Sequence, residues 1–239
     1  MNQQIRIFND NAAIARFLGE KLAKLSHEKN GVYLALSGGN TPKAIFELWR
    51  HEFADKIKWE HIYLFWGDER CVAPDDPESN FGMTDKALIS HIPISENHVF
   101  RIQGELPPDQ AAEAYQQAII NHVPAMNGLP VFDIIFLGLG DDGHTVSIFP
   151  HQAELWESPN ICEVATHPIS GQKRITITGS IINKATEAIF LVTGSSKRQV
   201  VHDILNGKGN YLSYPAARVT NNNTLWLLDK AAAEFPETK

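Results

Sequence analysis

Short apolar runs alternate with longer helix-patterned stretches along this chain, and that alternation restricts the fold more than any other feature. Residues 32–36, 62–66, 132–137 and 188–193 are near-continuous apolar segments, with a shorter one at 225–228. Such runs read as strands buried on both faces, the condition of a parallel sheet covered by helices. Between them, residues 11–25 place Ile14, Phe17, Leu18, Leu22 and Leu25 on one helical stripe. Residues 42–49, 109–122 and 196–205 are further helical segments. Strands alternating with helices imply βαβ units, hence an α/β fold with a mainly parallel sheet in three αβα layers. Residues 174–178 alternate as a strand with one solvated face would, and residues 74–80 are loop by composition. No repeat or long linker divides the chain, so a single domain over residues 1–239 is expected.

The 239 residues are 43% hydrophobic, enough to bury a substantial core without metals or disulfides. The formal charge of −7, with no Lys/Arg-rich run, argues against a nucleic-acid surface. An anion can then bind only where local cations and backbone N–H groups outweigh the general acidity. Cys71 and Cys162 are far apart and read as reduced thiols of a cytoplasmic protein. The first ten residues show neither a signal-peptide core nor a transit pattern, and no apolar run is long enough to span a membrane.

Two strand-to-helix junctions are suited to anions. Leu36-Ser37-Gly38-Gly39-Asn40-Thr41-Pro42 joins a buried strand to a helix. There Thr41 is the expected N-cap and Pro42 the first helical residue. Gly38 and Gly39 allow close approach of the backbone, and the helix start supplies free N–H groups, so phosphate fits. Thr193-Gly194-Ser195-Ser196-Lys197 repeats the pattern. Lys197 is electrostatically unhelpful to its own helix start, but useful to a bound anion.

Asp133-Ile134-Ile135-Phe136-Leu137-Gly138-Leu139-Gly140-Asp141-Asp142-Gly143-His144 carries the chemistry. In open α/β sheets ligands sit beyond the carboxyl ends of strands, and a histidine there can exchange a proton near neutral pH. Asp142 is placed to orient that imidazole. Residues 138–143 also satisfy G-x-G-x-x-G, but two aspartates would face a pyrophosphate and Pro150 interrupts the following helix, so a dinucleotide site is rejected. No metal is expected, because Asp141, Asp142, His144 and His151 match no established ligand spacing. Gly67-Asp68-Glu69-Arg70 ends a neighbouring strand. Arg70 offers a planar fork for a phosphate, a carboxylate or a developing oxyanion, with Asp68 and Glu69 expected to hold it.

These segments together resemble the glucosamine-6-phosphate isomerase/6-phosphogluconolactonase family, on its lactonase side. The resemblance rests on Ser37-Gly38-Gly39-Asn40-Thr41-Pro42, Trp66-Gly67-Asp68-Glu69-Arg70, Ser79-Asn80 and the run from Gly138 through His144 to Pro150. Arg174-Ile175-Thr176-Ile177-Thr178, Gly194-Ser195-Ser196-Lys197 and Pro215-Ala216-Ala217 follow in family order. Asn40 stands where the family usually has Ser or Thr, and Asp141 where it usually has Pro. The resemblance implies a Rossmann-like fold shared with glucosamine-6-phosphate deaminase and ribose-5-phosphate isomerase. It implies hydrolysis of 6-phospho-D-glucono-1,5-lactone with no metal or organic cofactor; a monomer or weak homodimer is expected, and the sequence does not fix which. His144 is then the general base, assisted by Asp142 and Arg70. Gly38, Gly39, Asn40, Thr41, Arg70, Arg174 and Lys197 are the implied substrate contacts. A sugar-phosphate deaminase or isomerase, and a non-catalytic sugar-phosphate sensor, are the alternatives.

Overall fold

The computed structural model describes residues 4–234; residues 1–3, part of the N-terminal segment read above, and 235–239 lie outside it. In chain order the elements are β1 (Gln4–Phe8), α1 (Asn11–Glu28), β2 (Val32–Leu36), α2 (Asn40–Glu52), β3 (Ile62–Trp66), β4 (Asp68–Arg70), α3 (Asn80–Ala87), α4 (Pro108–His122), β5 (Ala125–Met126) and β6 (Leu129–Pro130). There follow β7 (Ile134–Leu137), β8 (Cys162–Thr166), β9 (Lys173–Ile177), α5 (Gly179–Lys184), β10 (Glu187–Val192), α6 (Arg198–Asn206), β11 (Thr224–Asp229) and α7 (Lys230–Ala233).

Six strands form one sheet in the order β1-β11-β10-β7-β2-β3, and every neighbouring pair is parallel. All six carboxyl ends therefore open on one edge. From β2 the chain steps outward to β3, whereas from β7 it steps the other way to β10 and β11. Right-handed crossovers turn that reversal into helices on opposite faces of the sheet. On one face α1 and α2 pack together, with Trp49 Nε1 donating to Ala15 O at 2.8 Å. The mainly parallel sheet with flanking helices matches the expected α/β class.

The reversal leaves a crevice. Strands β2 and β7 keep register only at Leu34–Ile134 and Ala35–Ile135. Beyond those pairs their carboxyl ends separate into the loops that begin at Ser37 and Gly138. A ligand site is expected at such a switch point.

A second, antiparallel sheet β4-β9-β8 stands beside this edge, and β5 pairs with β6 in a small hairpin. Gly67 joins the two larger sheets: its N–H donates to Leu36 O at 2.8 Å, and Ile177 N–H donates to Gly67 O at 2.9 Å. This placement corrects the reading of 174–178 as half solvated. Ile175, Thr176 and Ile177 are all buried, because α4 packs against β9 and the Thr176 hydroxyl accepts from Ser147 N at 3.2 Å. Periodicity alone saw Thr176 as outward-facing.

The sheet is covered by large side chains, with Trp49, Trp66, Phe136 and Trp226 among the fully or almost fully buried. Phe136 on β7 meets Trp49 on α2 with ring centroids 6.1 Å apart. Truncating such a ring leaves a cavity that a close-packed interior closes poorly. Phe136→Ala should lower the unfolding free energy by about 3–5 kcal/mol in denaturant titration; a loss below about 1 kcal/mol would mean this contact does not hold α2 to the sheet.

Candidate active site

The loop that leaves β7 folds tightly enough to present one imidazole. Gly140 N–H donates to His144 O at 2.8 Å, and Gly143 N–H donates to Gly140 O at 3.0 Å. Gly143 has φ +79°, and a Cβ there would lie 2.3 Å from the Tyr214 ring, so only glycine fits. The Thr145 hydroxyl donates back to Gly138 O at 2.8 Å and the Ser147 hydroxyl to Asp68 Oδ2 at 2.6 Å. Between them Val146 sits at φ +47°, a strained position for a β-branched residue, and lines the cleft.

His144 Nδ1 lies 2.6 Å from Asp142 Oδ1, which also accepts from the His144 backbone N–H at 3.1 Å. Partial burial works against the Asp142 charge. The hydrogen bond and attraction from His144, with backbone donors, outweigh it and bring the carboxyl pKa down to about 2. The carboxylate is therefore ionised at neutral pH and accepts a hydrogen bond from Nδ1–H, which leaves Nε2 to meet a ligand. The His144 ring rests on Phe149 at 4.7 Å between centroids.

His144 lines a cleft of about 200 Å³ together with Gly38, Gly39, Arg70, Arg174 and Lys197. An adjoining cavity of about 370 Å³ is lined by Asn40, Thr41 and Pro42 and shares Gly38, Gly39, Gly138, Leu139 and Lys197 with the first. Every expected contact residue thus lines one or other of these two cavities, and Asp142 supports His144 from its side. The helix start differs from expectation. Helix α2 begins at Asn40 with Gly39 (φ +97°) as its cap residue, and no side chain caps it. The left-handed turn at Gly39 starts the helix earlier than Pro42 would. The Thr41 hydroxyl is instead paired with Thr193 Oγ1 at 2.6 Å, tying the two glycine loops together.

Arg70 and Arg174 are register partners across β4 and β9. Their Nε atoms are buried without a hydrogen-bond partner, and Arg70 Nη1 donates to Glu78 O. Burial lowers the Arg174 pKa below its ordinary value; Asp68 pulls it up and Arg70 pushes it down. Two guanidinium groups this close favour an anion. The expected clamp by Asp68 and Glu69 is not how Arg70 is held. Glu69 turns into the start of α3, accepting from Asn80 N and Phe81 N at 2.7 Å and from Arg70 N at 2.8 Å. Asp68 accepts from Ser147, as above. A carboxylate at a helix start gains from three amides what an exposed ion pair would not supply.

Asp68, expected only as a support for Arg70, also lines the cleft, as do Asn80 and Val146, to which sequence reasoning gave no role. Asn80 Nδ2 donates to Asp68 O at 2.9 Å, and its Oδ1 occupies the space a Cβ at Gly38 would need. Gly38 and the Gly-Asp-Glu-Arg segment are thereby packed against one another through Asn80. The Ser79-Asn80 dipeptide was the only signal, and it lacked a partner until the fold supplied one.

Gly140 is the sensitive point of the histidine loop, because a Cβ there would lie 2.1 Å from His144 Nδ1 and 2.6 Å from Asp142 Oδ1. Gly140→Ala should push the ring away by about 1 Å, since hard-sphere contact at 2.1 Å is not tolerated. A crystal structure of the variant should show the Asp142–His144 bond broken. The same structure with the pair intact would contradict this geometry.

Comparison with known proteins bears on the same segments. The family model described as glucosamine-6-phosphate isomerases/6-phosphogluconolactonase matches residues 10–226. A 6-phosphogluconolactonase of Treponema pallidum is 47% identical over 198 residues, covering 83% of this chain and 82% of its own. The 6-phosphogluconolactonase of Haemophilus influenzae is 40% identical over 221 residues, covering 91% and 93% respectively. The crystal structure of devB protein superposes with a TM-score of 0.93 at 39% identity, covering 97% of this chain and 98% of that one. The strand order, the cleft at the switch point and these matches agree: the chain belongs to the glucosamine-6-phosphate isomerase/6-phosphogluconolactonase family.

Proposed function

We propose that residues 1–239 form one hydrolase domain that opens 6-phospho-D-glucono-1,5-lactone to 6-phospho-D-gluconate. The observation that carries this reading is the shared cleft. A carboxylate-backed imidazole and a glycine-rich anion cradle with a lysine line the same cavity. One group suits the reacting carbonyl and the other the phosphate of the same sugar. The lactonase names of the relatives support the choice of substrate within the family.

In this reading the substrate phosphate lies on Gly38, Gly39, Asn40, Thr41 and Lys197, where the α2 start and an ammonium favour negative charge. Binding at that end orients the lactone carbonyl toward His144. Neutral His144 takes a proton on Nε2 from a water whose oxygen bonds to C1. The imidazolium, steadied by Asp142, then returns a proton to the ring oxygen as the C1–O bond breaks. Arg70 and Arg174 meet the oxyanion that forms at C1 and then the product carboxylate, which forms as the new carboxylic acid releases its proton to solvent.

His144→Ala should lower kcat by ~10²–10⁴ while 6-phosphogluconate still binds, because general acid–base catalysis contributes about that factor; unchanged turnover would remove His144 from the reaction. Lys197→Ala should raise KM about 10- to 100-fold, the worth of one charged hydrogen bond. The carboxylate of Asp142 is lost only as pH falls from the usual aspartate range toward 2. Asp142→Asn should therefore depress kcat by at least about tenfold at every pH from roughly 5 to 8, and not only at the acid end. The assay uses freshly made lactone against an enzyme-free control. Glucosamine 6-phosphate tested in parallel should release no ammonia, and release of ammonia with no lactone turnover would favour the deaminase alternative.

A further inference from the structure

Lys197 already has a partner at the edge of the cleft. Its Nζ donates to Asp141 Oδ1 at 2.6 Å, which joins the loop after β7 to the turn after β10. The two partners differ in setting: the Lys197 side chain is 23% exposed and the Asp141 side chain 71%. The lysine faces the cleft and the carboxylate faces solvent. The backbone of Lys197 does not depend on this pair. Its N–H donates to Gly194 O at 3.3 Å, and Gly194 N–H is held by both carboxylate oxygens of Asp229, at 3.1 and 3.0 Å. An ion pair this exposed is weak and readily opened by water. The neighbouring Asp142 is already committed to His144.

We infer that Asp141 is a built-in counter-ion for Lys197, which the phosphate of the substrate must displace or crowd, so that Asp141 sets affinity and selectivity at the phosphate end of the cleft. The inference rests on the phosphate position given under Proposed function. A dianionic phosphate on Lys197 Nζ would lie within about 5 Å of the Asp141 carboxylate, because both anions need hydrogen-bond contact with one ammonium. Like charges at that distance repel even in water, and less so as salt is added. The consequence is a site that binds its phosphorylated ligands less tightly than its cations alone would allow, and lets a phosphorylated product go more readily. Asp141 touches no reacting atom; it acts through Lys197 as a positioning and selectivity residue.

The test compares wild type, Asp141→Asn and the control Glu60→Gln. Glu60 is an exposed acid before β3, at the amino end of the strands and away from the cleft, and its loss changes net charge equally. Calorimetric titration with 6-phosphogluconate should give about 3- to 10-fold tighter binding for Asp141→Asn at low salt. That gain should shrink as ionic strength rises, while Glu60→Gln stays within about twofold of wild type. The ratio of kcat/KM for the phosphorylated lactone to that for unphosphorylated glucono-1,5-lactone should rise by the same factor in Asp141→Asn. Unchanged or weaker binding in Asp141→Asn, or an equal gain in Glu60→Gln, would overturn the inference. The two readings fail separately. A wild type that binds 6-phosphogluconate without hydrolysing the lactone loses the proposed reaction. An Asp141→Asn variant that hydrolyses it without tighter binding loses the counter-ion role.

Discussion

The reversal of winding between β2 and β7 is the constraint on which the rest of the molecule depends. Two parallel strands that send their crossovers to opposite faces cannot both be closed over at their carboxyl ends. The sheet keeps only two register pairs there before the chains part. Into that gap fall one glycine loop from each strand, 38–39 and 138–143. Close approach of the backbone is possible because these positions carry no Cβ: one at Gly140 would collide with His144 and Asp142, and one at Gly38 with Asn80. The second sheet supplies the remaining wall by setting Arg70 opposite Arg174. His144, Lys197, Arg70, Arg174 and the glycine turn at 38–39, from distant parts of the sequence, thus converge on one cleft.

Charge is distributed to match. A chain of net charge −7 repels anions as a whole. The cleft reverses this locally with Lys197, Arg70, Arg174 and the start of α2. Its own acids are each occupied: Asp142 by His144, Asp68 by Ser147, Glu69 by the α3 amides, Asp141 by Lys197. Only Asp141 among these is largely exposed, and it alone can leave its partner at little cost.

The parallel strands were legible because burial on both faces leaves continuous apolar runs, and the His144 loop because its residues are contiguous. Elements whose cause is tertiary were not. Strand β1 is an edge strand exposed through most of its length, so no buried run marks it. Strand β4 is three charged or acidic residues, Asp68-Glu69-Arg70, held in place by β9 rather than by propensity. Helix α3 depends on the Ser79 cap and on Glu69, eleven residues before its first amide, which no local pattern reports. The site divides in the same way. The Asp142–His144 contact was expected, because the two are near neighbours on a loop at the carboxyl end of a strand. The pairing of Asp68 with Ser147 spans 79 residues, and that of Lys197 with Asp141 spans 56. The N-cap at Thr41 failed for a related reason, since Gly39 could turn left-handed and Thr193 offered its hydroxyl a better partner.

The most direct measurement is a crystal structure with 6-phosphogluconate bound. In the proposed binding mode the phosphate lies on Gly38, Gly39 and Lys197, and the C1 carboxylate carbon within about 3–4 Å of His144 Nε2, the reach of a water-assisted proton transfer. A product bound the other way round, with its phosphate on Arg70 and Arg174 and C1 remote from His144, would contradict it.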